Sequence, residues 1–183
     1  MFLNFDSAQS PKKQCLSRVK QHIKNKQIMK IAIIGTGNLG CSIAIGLISE
    51  DAITSLYLTK RNLENIQEFK GYSNVFLTTD NKEAVENSDI LIFAVQPAHL
   101  EKVLLEIKGL LTEKHIIIST ITGYSVAKIA GVIGLDNFII RAMPNTAIAV
   151  GKSMTCLCSN QKGMERIKIA EAIFNRLGTS IVI

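Results

Sequence analysis

The stretch Lys30-Ile-Ala-Ile-Ile-Gly-Thr-Gly-Asn-Leu-Gly40 decides how this chain folds. Its first half, Ile31 to Ile34, is an unbroken apolar run of the kind found in strands that are buried on both faces. The pattern G-x-G-x-x-G follows, and after it comes a helix-spaced apolar segment from Cys41 to Ile48. A strand, a glycine-rich turn and a helix in this order predict a dinucleotide-binding site.

Each of the three glycines suits one part of such a site. Gly35 allows the tight turn out of the strand, Gly37 lets the backbone approach a pyrophosphate, and Gly40 lets the helix pack closely on the strand. The helix N-terminus then offers free N–H groups and the positive end of its dipole to the phosphates. The alternative is a glycine-rich turn in another kind of α/β domain.

The composition excludes several classes of protein. The chain has 183 residues, 47% of them apolar and 20% charged, which suits one folded domain rather than a disordered chain. No run approaches the roughly 18 apolar residues that a membrane span requires. The chain has 21 basic and 15 acidic residues, of which six basic residues and one acidic residue lie in residues 1–28. The remainder has 15 basic and 14 acidic residues and is therefore nearly neutral. We therefore expect neither a nucleic-acid partner nor a membrane partner.

The four cysteines, Cys15, Cys41, Cys156 and Cys158, show no metal or disulfide framework. Cys156 and Cys158 are two apart in a predicted strand and therefore share a face. No second cysteine pair accompanies them, and the three histidines are scattered. We expect no metal site, and reduced cysteines are typical of a cytoplasmic enzyme.

The chain divides at Met29, which stands directly before the first strand as an alternative start. We expect residues 1–28 to form a basic N-terminal extension, flexible or partly helical, and residues 29–183 to form the dinucleotide-binding domain. The predicted strands are 31–34, 54–59, 74–78, 89–95, 115–119, 137–141, 153–158 and 179–183. The predicted helices are 41–48, 61–69, 80–86, 98–107, 125–132 and 161–177. This alternation predicts an α/β fold of the Rossmann-like, doubly wound type, with a mainly parallel sheet and helices on both faces.

The end of the second predicted strand favours NADP over NAD. NAD-binding sites place Asp or Glu about 20 residues after the glycines, where the carboxylate holds the ribose 2′-hydroxyl. Here that position reads Thr59-Lys60-Arg61, with a hydroxyl and two cations but no carboxylate. Cations at this point suit a 2′-phosphate, because Lys and Arg form charge-assisted hydrogen bonds to it. The alternative is an ordinary solvated pair of surface cations.

A second cluster of polar residues follows two later strands, at the expected carboxyl edge of the sheet. Arg141-Ala-Met-Pro-Asn-Thr146 combines a stiff proline with amide and hydroxyl groups, and Ser119-Thr-Ile-Thr-Gly123 adds hydroxyls beside it. Open α/β sheets bind ligands at this edge, so the cluster predicts a site for a small polar molecule. The alternative, which the residues leave equally open, is a turn followed by a helix cap.

At these residues the chain resembles the pyrroline-5-carboxylate reductases. The resemblance runs from Met29 to the C-terminus and rests on five blocks that have the family's order and spacing. The blocks are Gly35-Thr-Gly-Asn-Leu-Gly40, Asp80-Asn-Lys-Glu83, Ser88-Asp-Ile-Leu-Ile-Phe-Ala-Val-Gln-Pro97, Ile118-Ser-Thr-Ile-Thr-Gly123 and Ile140-Arg-Ala-Met-Pro-Asn-Thr146. The last block is specific to this family among Rossmann reductases.

The resemblance implies an NADPH-dependent reduction of a small cyclic imine, 1-pyrroline-5-carboxylate, in proline biosynthesis. The site residues that it implies fall into groups by the part of the ligand they would meet. Along the pyrophosphate would lie Gly35, Gly37, Asn38 and Leu39; at the 2′-phosphate Thr59, Lys60 and Arg61; and at the adenosine ribose Asn81. Near the nicotinamide half would lie Ala94, Val95 and Pro97, and at the border of nicotinamide and substrate Met143, Pro144 and Asn145.

Two departures from the family's pattern bear on activity. Gln96 stands where the family usually has Lys, so one cation near the cofactor is missing. The family also has a helical second domain that builds the dimer and completes the substrate pocket, and we expect this chain to end where that domain begins. No general acid is recognisable, so no catalytic residue is assigned, and homo-oligomerisation is left open.

Two alternative functions stay open at this point. One is another small NADP-dependent reductase of the deazaflavin-dependent type, whose Rossmann domain is similar. The other is a non-catalytic NADP-binding module, which would bind NADPH without turning over an imine.

Overall fold

The computed structural model describes residues 29–48 and 50–183. The strands are β1 Met29–Ile34, β2 Ile53–Thr59, β3 Val75–Thr78, β4 Ile90–Phe93, β5 Ile116–Ser119, β6 Phe138–Met143, β7 Ser153–Ser159 and β8 Gly178–Val182. The α-helices are α1 Asn38–Leu47, α2 Asn81–Glu86, α3 Pro97–Ile107, α4 Val126–Ile133, α5 Gln161–Met164 and α6 Ile167–Phe174. Short 3-10 helices span Leu63–Gly71, Lys108–Leu110 and Thr146–Val150. The expectation for residues 1–28 lies outside the described residues.

All eight strands form one sheet in the order β3-β2-β1-β4-β5-β6-β7-β8. The strands from β3 to β6 are parallel, β7 is antiparallel to β6, and β8 is parallel to β7. The predicted α/β fold with a mainly parallel sheet is therefore confirmed. Because the chain winds outward in one direction from β1 and in the other from β4, a topological switch point lies between these two strands. Open sheets of this kind bind ligands beside that point.

Helices cover both faces of the sheet, which explains the continuous apolar runs in the central strands. Ile31 and Ile33 face a core cluster that includes residues of α1 and α6. Ala32 and Ile34, from alternate positions of the same strand, face a second cluster that includes residues of α2, α3 and α4. Strand β1 is thus buried on both faces, and this burial fixes the position at which the glycine turn begins.

Two predicted helices differ from the structure. The segment predicted as helix 61–69 is a 3-10 helix that begins after Asn62, whose side chain accepts the N–H of Glu64. It is interrupted at Ile66 (φ −140°, ψ 21°). Its buried residues Ile66 and Phe69 are three apart, a spacing that a 3-10 turn places on one side. The predicted helix 161–177 is divided into α5 and α6, because Arg166 has non-helical angles (φ −117°, ψ 5°).

His115, directly before β5, links this strand to α2. The residue is 2% exposed. Its Nδ1 accepts the backbone N–H of Thr112 (2.9 Å), so Nε2 carries the proton and donates to the carbonyl of Val85 (3.2 Å). The bond that Nδ1 accepts requires the neutral ring, and desolvation by burial lowers the pKa of His115 below its ordinary value.

We predict that the free energy of unfolding falls as the pH is lowered through about 6.5, the ordinary histidine pKa. Below that pH the unfolded chain binds a proton at His115 that the folded chain resists, which favours unfolding. His115→Gln removes this titration, so denaturant unfolding between about pH 8 and pH 5 should show a flatter pH dependence for the variant. Identical pH dependences would contradict the buried neutral histidine.

Candidate dinucleotide site

Two adjoining clefts lie beside the switch point, at the carboxyl ends of β1, β2 and β4. Their volumes are about 490 Å³ and 460 Å³, within the range of roughly 300–1,000 Å³ that is usual for small-molecule sites. The larger, here the cation cleft, is lined by Lys60, Arg61 and Lys102 among others. The smaller, here the threonine cleft, includes Thr120 and Thr122. The wall that both share is made of Gly37, Ala94, Val95 and Gln96.

The glycine turn separates the two clefts, and its three glycines meet different surroundings. Gly35 has φ +93°, and a Cβ atom there would lie 2.5 Å from Cγ1 of Val95. A Cβ atom at Gly40 would lie 2.5 Å from the carbonyl oxygen of Gly35. At Gly37, by contrast, a Cβ atom would meet no described atom within 4 Å. Packing therefore requires glycine at the first and third positions, and the second borders open space.

Helix α1 begins immediately after this open space. Gly37 is its N-cap residue, and the part of the chain that the structure describes provides no side-chain hydrogen bond to cap it. The N–H groups of the first turn therefore keep their hydrogen-bonding capacity for a ligand. Asn38 and Leu39, the first two residues of the helix, line the threonine cleft.

Thr59, at the end of β2, holds the glycine turn in place. Its hydroxyl oxygen accepts the N–H of Gly35 (3.1 Å), and its carbonyl accepts the N–H (2.8 Å) and the hydroxyl (3.1 Å) of Thr36. Thr59 is only 2% exposed. The role expected for it at a 2′-phosphate stays a prediction, and the structure adds a supporting role that the sequence did not indicate.

The cation cleft has an excess of positive charge. Lys60 and Arg61 extend from β2, and His99 and Lys102 extend from α3. None of the three Lys and Arg side chains forms an ion pair with another described residue. Glu106 of α3 is the carboxylate in this lining. The cleft therefore suits an anionic ligand.

All the residues predicted to bind the cofactor line one or both clefts. The cation cleft contains Gly35, Gly37, Thr59, Lys60, Arg61, Asn81, Ala94 and Val95, and the threonine cleft adds Asn38, Leu39 and Pro97. Their contacts with a ligand stay predictions, since the structure contains none.

The three residues predicted at the substrate lie at and directly after the end of β6 and line neither cleft: Met143, Pro144 and Asn145. The Oδ1 atom of Asn145 accepts the N–H of Ala147 (3.2 Å) and caps the 3-10 helix that follows. The alternative considered for this segment, a turn followed by a helix cap, therefore applies to the side-chain oxygen of Asn145. The exposed Nδ2 group has no hydrogen-bond partner among the described residues and stays available to a ligand.

Sequence reasoning missed one wall of the cation cleft. His99, Lys102, Val103 and Glu106 line it from α3, and their spacing of three or four residues places them on one helix face. Pro97 marks the start of this helix in the sequence. The spacing of these residues could therefore have indicated that they share one helix face. Elsewhere in the clefts, Thr36, Thr79 and Ile121 had no predicted role, whereas Gln96 was expected near the cofactor and Thr120 and Thr122 belong to the hydroxyl-bearing segment expected beside the site.

Within residues 29–48 and 50–183, no group of His, Cys, Asp and Glu side chains is arranged to hold a metal ion. Cys41, Cys156 and Cys158 are free thiols. Over the same residues, every helix is too short or too polar to cross a membrane.

Comparison with known proteins identifies the region that contains both clefts. Residues 30–123, about half of the chain, match the family described as NADP oxidoreductase, coenzyme F420-dependent. The chain belongs to this family. The match includes the glycine turn, the end of β2 and helix α3.

Relatives of the chain include pyrroline-5-carboxylate reductases, which confirms the resemblance. The chain is 43% identical over 169 residues to pyrroline-5-carboxylate reductase 1 of Dictyostelium discoideum, which is 84% of this chain and 30% of that protein. The solved reductase from Coxiella burnetii is 32% identical with a TM-score of 0.79, over 85% of this chain and 58% of that one. A Plasmodium falciparum pyrroline carboxylate reductase solved with NADP bound is 27% identical with a TM-score of 0.75, over 86% and 58% of the two chains. The chain thus spans less than two thirds of the length of each of these proteins.

Alanine substitutions at Gly40 and Gly37 should distinguish a glycine that packing requires from one that borders the open cleft. Gly40→Ala forces a Cβ atom against the Gly35 carbonyl and should lower the free energy of unfolding by about 1–3 kcal/mol. Gly37 has φ −83°, which alanine adopts readily, so Gly37→Ala should change this free energy by no more than about 1 kcal/mol. Denaturant unfolding measures both, and equal destabilisation would contradict the assignment of Gly37 to the cleft wall.

Proposed function

We propose that residues 29–183 form an NADP-binding Rossmann domain and serve as the cofactor-binding part of a pyrroline-5-carboxylate reductase. This oxidoreductase reduces 1-pyrroline-5-carboxylate to proline with NADPH. The observation that carries the proposal is a glycine turn that shares one cleft with Lys60 and Arg61, two cations that form no ion pair with another described residue. The similarity to a reductase solved with NADP bound supports it.

The residues present fit this cofactor. The free N–H groups of α1 and the space beside Gly37 suit a pyrophosphate, and Lys60 and Arg61 suit a 2′-phosphate at the end of β2. No carboxylate occupies that strand end, where an NAD-binding site would use one. The apolar wall of Ala94 and Val95 suits the nicotinamide half, and bound NADPH would supply the hydride.

The substrate part of the proposal rests on the edge beyond the threonine cleft. Met143 ends β6, Pro144 and Asn145 follow it, and the neighbouring strand β5 leads to Thr120. The free Nδ2 group of Asn145 and the exposed Thr122 offer polar groups to a small imine. We assign no general acid among the described residues. The free cysteines are consistent with a cytoplasmic location, which is also part of the proposal.

A second candidate is an oxidoreductase that passes hydride between NADP and a deazaflavin. The description of the matching family, which names coenzyme F420, favours it. The same cation cleft would hold NADP in both cases, and the two candidates differ in the partner that faces the nicotinamide.

Charge reversal tests the assignment of NADP. Lys60→Glu combined with Arg61→Glu should weaken NADPH binding by about tenfold or more, because two charge-assisted hydrogen bonds are replaced by repulsion. NADH lacks the 2′-phosphate and should bind with little change. Nucleotide fluorescence gives both dissociation constants, and Lys70→Glu combined with Lys82→Glu, two exposed residues outside both clefts, is the matched control. Equal weakening of NADPH and NADH would contradict a 2′-phosphate site.

Oxidation of NADPH by the full chain tests the activity. We expect oxidation that depends on 1-pyrroline-5-carboxylate, with proline as the product. Oxidation that depends on the deazaflavin instead would favour the second candidate. Tight NADPH binding without oxidation by either acceptor would support a binding module and contradict a reductase complete in this chain.

A further inference from the structure

The cation cleft contains a carboxylate that the binding of phosphates does not explain. Glu106 lines the same cleft as Lys60, Arg61 and Lys102. A carboxylate repels the phosphates of a dinucleotide, so its presence in the wall weakens binding unless another part of the ligand uses it.

Glu106 is held in position from across the cleft. The Nδ2 group of Asn81, the first residue of α2, donates to Oε2 of Glu106 (3.2 Å). The start of α2 is itself fixed, because Oδ1 of Asp80 accepts the N–H of Lys82 (2.8 Å). This contact joins α2 to α3 and leaves Oε1 of the carboxylate without a hydrogen-bond partner among the described residues.

The linings of the two adjoining clefts offer three chemically different sets of groups. The N–H groups of α1 beside Gly37 and the cations Lys60 and Arg61 are complementary to the two kinds of phosphate in NADP. The pair of Asn81 and Glu106 is complementary to a group that donates hydrogen bonds. The adenine ring carries such a group, its exocyclic amine, and carboxylates accept hydrogen bonds from exocyclic amines of bases.

The residues around Glu106 suit a planar base. Val103, on the same helix face, is 9% exposed and gives the cleft an apolar surface. Arg61 is exposed on the β2 side, and a guanidinium stacks favourably on aromatic rings.

We propose that Glu106, positioned by Asn81, accepts a hydrogen bond from the adenine amine and makes this site select adenine over bases with a carbonyl there. The inference rests on the proposed function, since it requires NADP to occupy the cation cleft. Glu106 is a specificity-determining residue in this assignment and takes no part in hydride transfer.

The test compares NADPH with its hypoxanthine analogue, in which a carbonyl replaces the adenine amine and all phosphates are kept. For the full chain we expect NADPH to bind at least about fivefold more tightly, because the analogue places a carbonyl oxygen against the carboxylate. Glu106→Gln should abolish or reverse this preference, because its amide can donate to the carbonyl. Asn81→Ala should reduce the preference, since it frees the Glu106 side chain.

Glu101→Gln is the matched control, because Glu101 is an exposed carboxylate on the same helix outside both clefts. This variant should keep the wild-type ratio of dissociation constants. Thermal unfolding of each variant shows whether its fold is intact.

Three results would overturn the inference. Equal affinity of the wild-type chain for NADPH and the analogue would refute base selection while leaving the proposed function standing. An unchanged ratio in Glu106→Gln, or an equal loss of affinity for both nucleotides, would restrict Glu106 to a contact with the ribose or to the link between α2 and α3. Failure of the wild-type chain to bind either nucleotide would refute the proposed function as well.

Discussion

The close approach of the glycine turn to the ends of β2 and β4 is the constraint on which the site depends. The turn lies so close to Val95, which follows β4, that a Cβ atom at Gly35 would clash with it, and a Cβ atom at Gly40 would clash with the Gly35 carbonyl. Three hydrogen bonds from Gly35 and Thr36 fix it to Thr59. A larger side chain at either glycine would push α1 away from the sheet and close the space beside Gly37.

This constraint also explains how charge is distributed around the site. Because Thr59 is occupied with the turn, the next two residues, Lys60 and Arg61, leave β2 at the rim of the cation cleft. Helix α3 begins at Pro97, after β4 on the other side of β1, and supplies the opposite wall. One cleft therefore receives side chains from both halves of the sheet, as the topological switch point predicts.

Much of the fold could be predicted from the sequence, because its signals are local. The apolar runs of β1, β4 and β5 and the glycine pattern each depend on a few adjacent residues. The interruptions at Ile66 and Arg166 could not be predicted, because no proline or glycine stands at either position to mark a break in the helix. The hydrogen bonds of Asn160 could not be predicted either, because they join parts of the chain that are far apart in the sequence.

The amide of Asn160 forms four hydrogen bonds, with the N–H groups of Ile139 and Gly163 and the carbonyls of Leu135 and Asn137. Three of these partners lie more than 20 residues earlier in the chain, so no local pattern indicates them. The cofactor residues were predictable where a motif fixed them, as at the glycine turn and the end of β2. The wall from α3 was missed because it depends on which face of the helix turns toward the cleft.

An amide NMR titration of the full chain with NADP⁺ tests the central claim most directly, because it maps the site without requiring activity. The claim predicts that the largest changes occur at Gly37, Asn38, Leu39, Lys60 and Arg61, with α6 and β8 unaffected. No change at millimolar nucleotide, or changes confined to β7 and β8, would contradict the assignment of the cation cleft as the dinucleotide site.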